Sequence, residues 1–253
     1  MKYWISIVLI SLSFTVFAQE ASSNAAIPFS YDQGIKVYFK WSGKQMPDAE
    51  FDQYLSEYYE RDYDQKRNNE FQWKPFFTNM KNNFKTEVDQ VDLKAEYWRD
   101  FDGELGEYEF DNEGFFGFIV YKHTSRYVKI LGDNKNQWEN VTFRNNSRLT
   151  DIVLLLQDFK NSYLVKVDPE TAENYVESLP SSYFGYPKRK VTVRVYFTLD
   201  DPKTKDKLYA DFIKGKSSKY GIPAKVTKYE IYTNGDKMGE VTQRIDMKFP
   251  EGF

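Results

Sequence analysis

The chain has no cysteine among its 253 residues and only one histidine, His123. Without a thiol there is no disulfide, no cysteine nucleophile, no cysteine-held zinc and no iron–sulfur cluster. A single imidazole also excludes any metal site that needs two histidines. Ser125 is close to His123, but no Gly-x-Ser-x-Gly nucleophile elbow occurs anywhere in the chain. We therefore expect a solvent-facing turn histidine, and neither a metal nor a cofactor.

Long apolar runs are also missing, apart from residues 5–17. This run follows Lys2 and ends in Val16-Phe17-Ala18, the three-part pattern of a secretory signal peptide. At about 13 residues it is shorter than the roughly 20 that cross a membrane as a helix. The Phe17-Ala18-Gln19 junction resembles those of exported bacterial proteins. We expect cleavage near Ala18, a mature chain without a transmembrane segment, and a periplasmic or extracellular location.

The remaining residues have enough apolar material for a core, since 41% of the chain is hydrophobic and 18% is aromatic. Residues 19–30 are small and polar and predict a flexible lead-in. Residues 31–253 predict one globular α+β region, and a division into two subdomains near the turn-rich segment 181–188 is the alternative.

Three segments have the apolar spacing of amphipathic helices, at about 47–70, 75–88 and 169–179. Each begins at a proline, which the first helical turn tolerates. The third has the strongest start, because Asp168 precedes Pro169 and can cap the helix. The pattern thus predicts two or three helices.

Alternation of apolar and polar residues predicts the strands. Residues 152–156 are instead continuously apolar, which indicates a central strand buried on both faces. Because strands occur in runs rather than alternating with helices, we expect an α+β fold with mainly antiparallel sheet. The predicted strands are 35–41, 91–98, 115–121 and 127–131 as two arms of one hairpin, 141–143, 163–167, 191–199, and a hairpin that turns at Asn234-Gly235.

Basic residues are concentrated near the C-terminus. Residues 188–253 contain 15 basic and 9 acidic side chains, whereas residues 19–187 contain 19 basic and 29 acidic ones. Lys203, Lys205 and Lys207 are the candidate contacts for an anionic envelope polymer or a partner protein. Docking of this region on the acidic part of the same chain is the competing interpretation, and the lack of a compact basic motif favours it. Nucleic acid is not expected as a partner of an exported acidic chain.

Aromatic side chains form a second candidate surface. Tyr38, Trp98 and Tyr196 occupy the polar faces of three predicted strands, where they could stack on a sugar ring or another apolar face. The alternatives are that a helix covers this side or that the rings pack across neighbouring strands.

Acidic residues are dense between Asp100 and Glu113. Calcium prefers such oxygen ligands, but Gly103 comes too early for the EF-hand order. Glu107 and Glu109 share a strand face and could in principle be the carboxylate pair of a glycosidase. No catalytic residue is assigned. The sequence therefore predicts an exported, non-catalytic envelope or secreted binding protein, with a carboxylate-dependent glycan hydrolase as the alternative.

Overall fold

A computed structural model describes residues 25–120, 125–130, 138–143, 151–160, 162–180, 189–200 and 219–245. This part of the chain contains the following helices: α1 Tyr31–Ser42, α2 Asp48–Tyr58, α3 Glu60–Lys66, α4 Glu70–Asp89 and α5 Pro169–Ser178, with a 3-10 turn at Phe110–Asn112. Its strands are β1 Ile27–Pro28, β2 Glu96–Glu109, β3 Gly114–Val120, β4 Ser125–Ile130, β5 Trp138–Phe143, β6 Asp151–Gln157, β7 Ser162–Lys166, β8 Arg189–Leu199, β9 Lys219–Thr233 and β10 Asp236–Ile245.

Six strands close into an antiparallel barrel in the order β2-β3-β7-β10-β9-β8. Pairing of Glu96–Leu105 in β2 with Arg189–Leu199 in β8 completes the ring. Three barrel strands precede residues 181–188 and three follow them. The predicted α+β fold with antiparallel sheet is confirmed.

The sheet continues beyond the barrel at the first half of β9. There β9 pairs in parallel with β6, and β5 and β4 follow outward. The predicted central strand at 152–156 is confirmed, because β6 lies between β5 and β9 and its Ile152, Leu154, Leu155 and Leu156 are buried. On the other side, β1 pairs in parallel with β2 at Tyr97 and Trp98.

The barrel interior is filled by apolar side chains at alternate positions along the strands. Val193, Val195 and Phe197 on β8 are almost completely buried, as their alternation predicts. The ring of Tyr163 lies close against the backbone of Gly117, where an added Cβ would overlap with its Cε2 atom. A side chain at position 117 would therefore displace this ring.

The hairpin predicted at Asn234-Gly235 is confirmed. Thr233 and Asp236 are partners at the ends of β9 and β10. Both turn residues have positive φ, 51° for Asn234 and 94° for Gly235, a conformation that asparagine and glycine tolerate best.

The strand predicted at 35–41 is wrong, because these residues belong to α1. Ser30 caps this helix by accepting a hydrogen bond from the Gln33 N–H, and Gly43 ends it in the left-handed conformation. α1 packs against α4, β6 and β9, so it is buried on most sides. Its polar residues Asp32, Lys36 and Lys40 are spaced four apart and so lie on one face of the helix. Ile35, Val37, Phe39 and Trp41 nevertheless occur at every second position, which is the apolar spacing of a strand.

The other helices also differ from their predicted bounds, and there are five in the described residues rather than two or three. The segment 47–70 forms α2 and α3, separated at Tyr59, which leaves helical geometry with φ −132° and ψ 34°. α4 begins five residues before Pro75 and is capped by Asn69, which accepts from the Phe71 N–H. The predicted cap of α5 is confirmed, since Asp168 accepts from the Thr171 N–H.

Two strand predictions need correction as well. The strand expected from residue 91 begins at Glu96. The segments 115–121 and 127–131 do not form one hairpin, because both edges of β3 are occupied by β2 and β7, and β4 pairs with β5. β3 and β4 are therefore consecutive in the sequence but do not pair with each other.

Candidate functional site

A cleft of about 330 Å³ opens between the end of α1, the loop that follows it, α2 and α4. This volume falls at the lower end of the range for small-ligand pockets, about 300–1,000 Å³. Its floor is apolar and consists of Phe39, Met46, Phe51, Phe84 and Val88. All of these except Val88 are buried. We call this feature the α1–α4 cleft.

Contacts between aromatic rings connect the residues that form the floor of the α1–α4 cleft. Phe84 packs on Phe39 with ring centroids 6.3 Å apart and on Phe51 at 5.6 Å. Phe51 also meets Phe77 edge to face at 5.3 Å. Since three helices supply these rings, their contacts join α1, α2 and α4 beneath the cleft.

A partly buried ion cluster joins the same three helices beside the aromatic floor of the cleft. The Lys36 ammonium lies 2.6 Å from the Asp32 carboxylate and 2.7 Å from that of Glu87. Asp32 also accepts a hydrogen bond from the Tyr54 hydroxyl at 2.7 Å. Burial lowers the pKa of Lys36, but its hydrogen bonds to the two carboxylates outweigh this and raise it overall. The cluster fixes α1 against α2 and α4.

Lysines line the rim of the α1–α4 cleft. Lys81 pairs with Asp48. The Lys85 ammonium lies 2.6 Å from the Asp89 carboxylate, and this hydrogen bond lowers the pKa of Asp89. The remaining lysines of the rim are Lys40 and Lys44.

Neither Lys40 nor Lys44 forms an ion pair with a carboxylate in the part of the chain that the structure describes. Lys40 donates to the backbone carbonyl of Asp89 at 3.0 Å, which satisfies one acceptor at the end of α4. The rim is therefore positive, although residues 19–187 are acidic as a whole. The sequence does not reveal this rim, because its lysines are spread over α1, the loop after it and α4 among acidic neighbours.

A second recess of about 370 Å³ adjoins the α1–α4 cleft along α4. It is lined by Trp73 and Phe77 together with polar side chains, and it shares Lys81 and Asn82 with the cleft. The Lys81–Asp48 ion pair lies where the two meet.

Two of the three candidate aromatic residues come together on the outer face of the barrel. Trp98 on β2 is the direct cross-strand partner of Tyr196 on β8. The Arg194 guanidinium lies 3.7 Å from the Trp98 ring centroid and 4.6 Å from that of Tyr232. The Lys228 ammonium lies 4.2 Å from the centroid of the Tyr196 ring. Cations of the protein itself thus occupy faces of these rings.

Glu230 is the centre of a hydrogen-bond network on the same face. It is only 6% exposed and accepts from the Tyr196 hydroxyl at 2.5 Å and the Tyr232 hydroxyl at 2.8 Å. Lys237 and Lys228 also donate to it, at 3.0 and 3.2 Å. Burial alone raises the pKa of Glu230, but these four donors together lower it to about 2. The carboxylate is consequently ionised at neutral pH.

The remaining candidates from the sequence lie elsewhere. Tyr38 is on α1 and nearly buried, so it does not join a row with Trp98 and Tyr196 on one sheet. Lys203, Lys205, Lys207 and His123 lie outside the described residues. Glu107 and Glu109 are exposed on β2, and neither lines the α1–α4 cleft or the adjoining recess. Among the described residues, no cluster of three or more acidic or histidine side chains could hold a metal ion.

These features define the protein as an α+β protein in which a helical layer with a cleft packs on a closed six-stranded barrel. The chain belongs to the family described as "Domain of unknown function (DUF4852)", whose model matches residues 47–178. The match includes α2 to α5 and β2 to β7, whereas α1 and strands β8 to β10 lie outside it. No curated protein and no solved structure matches the chain. Within the described residues, no helix is both long and apolar enough to cross a membrane.

Proposed function

We propose that this protein is an exported, non-catalytic binding protein whose ligand lies in the α1–α4 cleft. The observation that carries the proposal is an apolar floor of buried side chains beneath a rim of lysines. Binding pockets commonly combine such an apolar lining with a few polar groups that orient the ligand. Because the ring contacts of Phe39, Phe51 and Phe84 fix the floor, the cleft is formed before a ligand arrives.

The acidic side chains support binding over glycan hydrolysis. A glycosidase needs two carboxyl groups facing each other across a substrate cleft. Glu107 and Glu109 do not line either described cleft. Glu230 accepts four hydrogen bonds and has a pKa near 2, so it is poorly suited to donate a proton at neutral pH.

Export rests on the sequence pattern of residues 1–18, with Lys2, an apolar run and Ala18 before the cleavage point. Intact mass spectrometry of the exported protein should give an N-terminus at or within two residues of Gln19. Recovery of the uncleaved chain in membranes would argue against export. Contacts of Lys203, Lys205 and Lys207 with an envelope polymer or a partner protein stay a prediction from the sequence.

The ligand site can be tested with N-phenyl-1-naphthylamine, a neutral apolar dye that fluoresces when it leaves water. The mature protein should enhance its fluorescence with a saturable curve. Val88 lines the cleft and is partly buried, so the substitution Val88→Trp should fill the space and abolish most of the enhancement. Asn79→Trp adds the same side chain at an exposed position of α4 outside both recesses and should leave binding unchanged.

Circular dichroism and chemical denaturation of both variants should show folded proteins. Equal dye binding by wild type and Val88→Trp would place the site elsewhere. Absence of any saturable binding by the wild-type protein would overturn the proposal.

A further inference from the structure

We propose that the ligand of the α1–α4 cleft is an amphipathic anion, a single apolar chain with one carboxylate or phosphate head. This rests on the proposed function and adds the chemical class of the ligand. The floor of Phe39, Met46, Phe51 and Phe84 offers only carbon and sulfur surface. Removal of an apolar chain from water against it is favourable in proportion to the area buried.

The rim of the cleft sets the charge of the head group. Of its four lysines, Lys81 and Lys85 are already paired with Asp48 and Asp89. Lys40 lies near the Asp89 carboxylate without forming an ion pair, and its charge contributes to the lowered pKa of Asp89. Lys44 has no carboxylate partner among the described residues, so an anionic head would supply the counter-charge of Lys44. A cationic head would meet repulsion from the same groups.

Substitution of Lys44 can test ligand binding without disturbing the fold. Lys40 has a structural reason to be where it is, because it donates to the carbonyl of Asp89 at the end of α4. The backbone N–H of Lys44 donates to the Ser42 hydroxyl, whereas its ammonium has no hydrogen-bond partner among the described residues. Exposed charges contribute little to stability, so reversal of the charge at Lys44 should leave the fold intact.

The test compares ligands that share one chain and differ in the head: decanoate, decyl phosphate and decan-1-ol, each below its micellar concentration at low salt. Each competes with N-phenyl-1-naphthylamine on the mature protein. Both anions should bind about tenfold more tightly than the alcohol, the combined effect expected of two partly exposed ion pairs. Lys44→Glu should remove most of this preference and leave the affinity for decan-1-ol within about twofold. Lys94→Glu, at an exposed lysine outside the cleft, makes the same change in net charge and should preserve the preference.

Failure of this inference differs from failure of the proposed function. If all three ligands displace the dye equally and Val88→Trp still abolishes dye binding, the cleft binds ligands but does not select anions, and the inference is wrong. The same holds if Lys44→Glu and Lys94→Glu weaken anion binding equally, since the effect would then come from net charge. If the dye does not bind at all, both proposals fail.

Discussion

The guanidinium of Arg194 stacks on the indole ring of Trp98, 3.7 Å from its centroid. The same guanidinium forms two hydrogen bonds with the Asp100 carboxylate, at 2.8 and 3.0 Å. Because β8 carries Arg194 and β2 carries its two partners, this contact spans the pair of strands that closes the barrel. Trp98, which the sequence predicts as a surface for ligand stacking, thus takes part in the contact between β2 and β8 in the barrel wall.

We expect Arg194→Lys to lower the free energy of unfolding by about 1–2 kcal/mol, because lysine can neither form the two-pronged hydrogen bond nor stack as a plane. Arg61→Lys, at an exposed position of α3, should change stability by less than about 0.5 kcal/mol. Urea denaturation at pH 7 measures both. Equal stability of Arg194→Lys and wild type would show that the contact contributes nothing to barrel closure.

The Glu230 network predicts a pH dependence of stability. The pKa of Glu230 in the folded protein is about 2, below its ordinary value of 4.5. Its carboxylate therefore stabilises the fold fully above about pH 4.5, and this contribution is lost as the pH falls toward 2. The difference between these two pKa values corresponds to a contribution of about 3 kcal/mol to the free energy of unfolding. About 2 kcal/mol of this contribution should disappear between pH 7 and pH 3.

Substitution of Glu230 should make the free energy of unfolding depend less on pH. We expect Glu230→Gln to be less stable than wild type at pH 7 and to lose less stability than wild type on acidification. Glu109→Gln, at an exposed position of β2, should retain the full pH dependence of wild type. Parallel stability curves for Glu230→Gln and wild type would contradict the depressed pKa.

Two buried tyrosines should respond to loss of their hydroxyl groups in opposite ways. The hydroxyl of Tyr163 is buried in the barrel and has no hydrogen-bond partner among the described residues, and burial raises its pKa. The hydroxyl of Tyr229 accepts from the Lys160 N–H at 2.8 Å and donates to the Lys160 carbonyl at 3.3 Å. We expect Tyr163→Phe to stabilise the protein and Tyr229→Phe to destabilise it, each by about 1 kcal/mol. Destabilisation by Tyr163→Phe would show that this hydroxyl is hydrogen-bonded in solution.

Local signals predicted some elements well. The Asp168-Pro169 helix start, the Asn234-Gly235 turn and the alternation along residues 191–199 all gave the right element. Each depends on interactions within a few residues, such as a side-chain cap or the tolerance of positive φ. Such interactions are the same in any surroundings.

The candidate site was less predictable. The sequence identified Trp98 and Tyr196 as facing outward but did not show that Arg194 and Lys228 cover their rings. The α1–α4 cleft is not evident in the sequence, because Phe39 has the alternation of a strand and the lysine rim comes from segments about 40 residues apart. Proximity between α1 and α4 depends on packing, which periodicity along one segment does not contain.

The sequence by itself determined the class of fold, the caps and turns, and which strand faces are apolar, because these follow from local geometry and the burial of apolar surface. Tertiary structure decided that residues 31–42 form a helix, since Ile35, Val37, Phe39 and Trp41 alternate as in a strand, whereas Asp32, Lys36 and Lys40 are spaced as on one face of a helix. Packing of this segment on α4, β6 and β9 selects the helix. Tertiary structure also decided that β3 pairs with β2 and β7 rather than with β4. Strand partners are selected by the packing of a whole closed barrel, in which β2 and β8 meet across about 90 residues of chain.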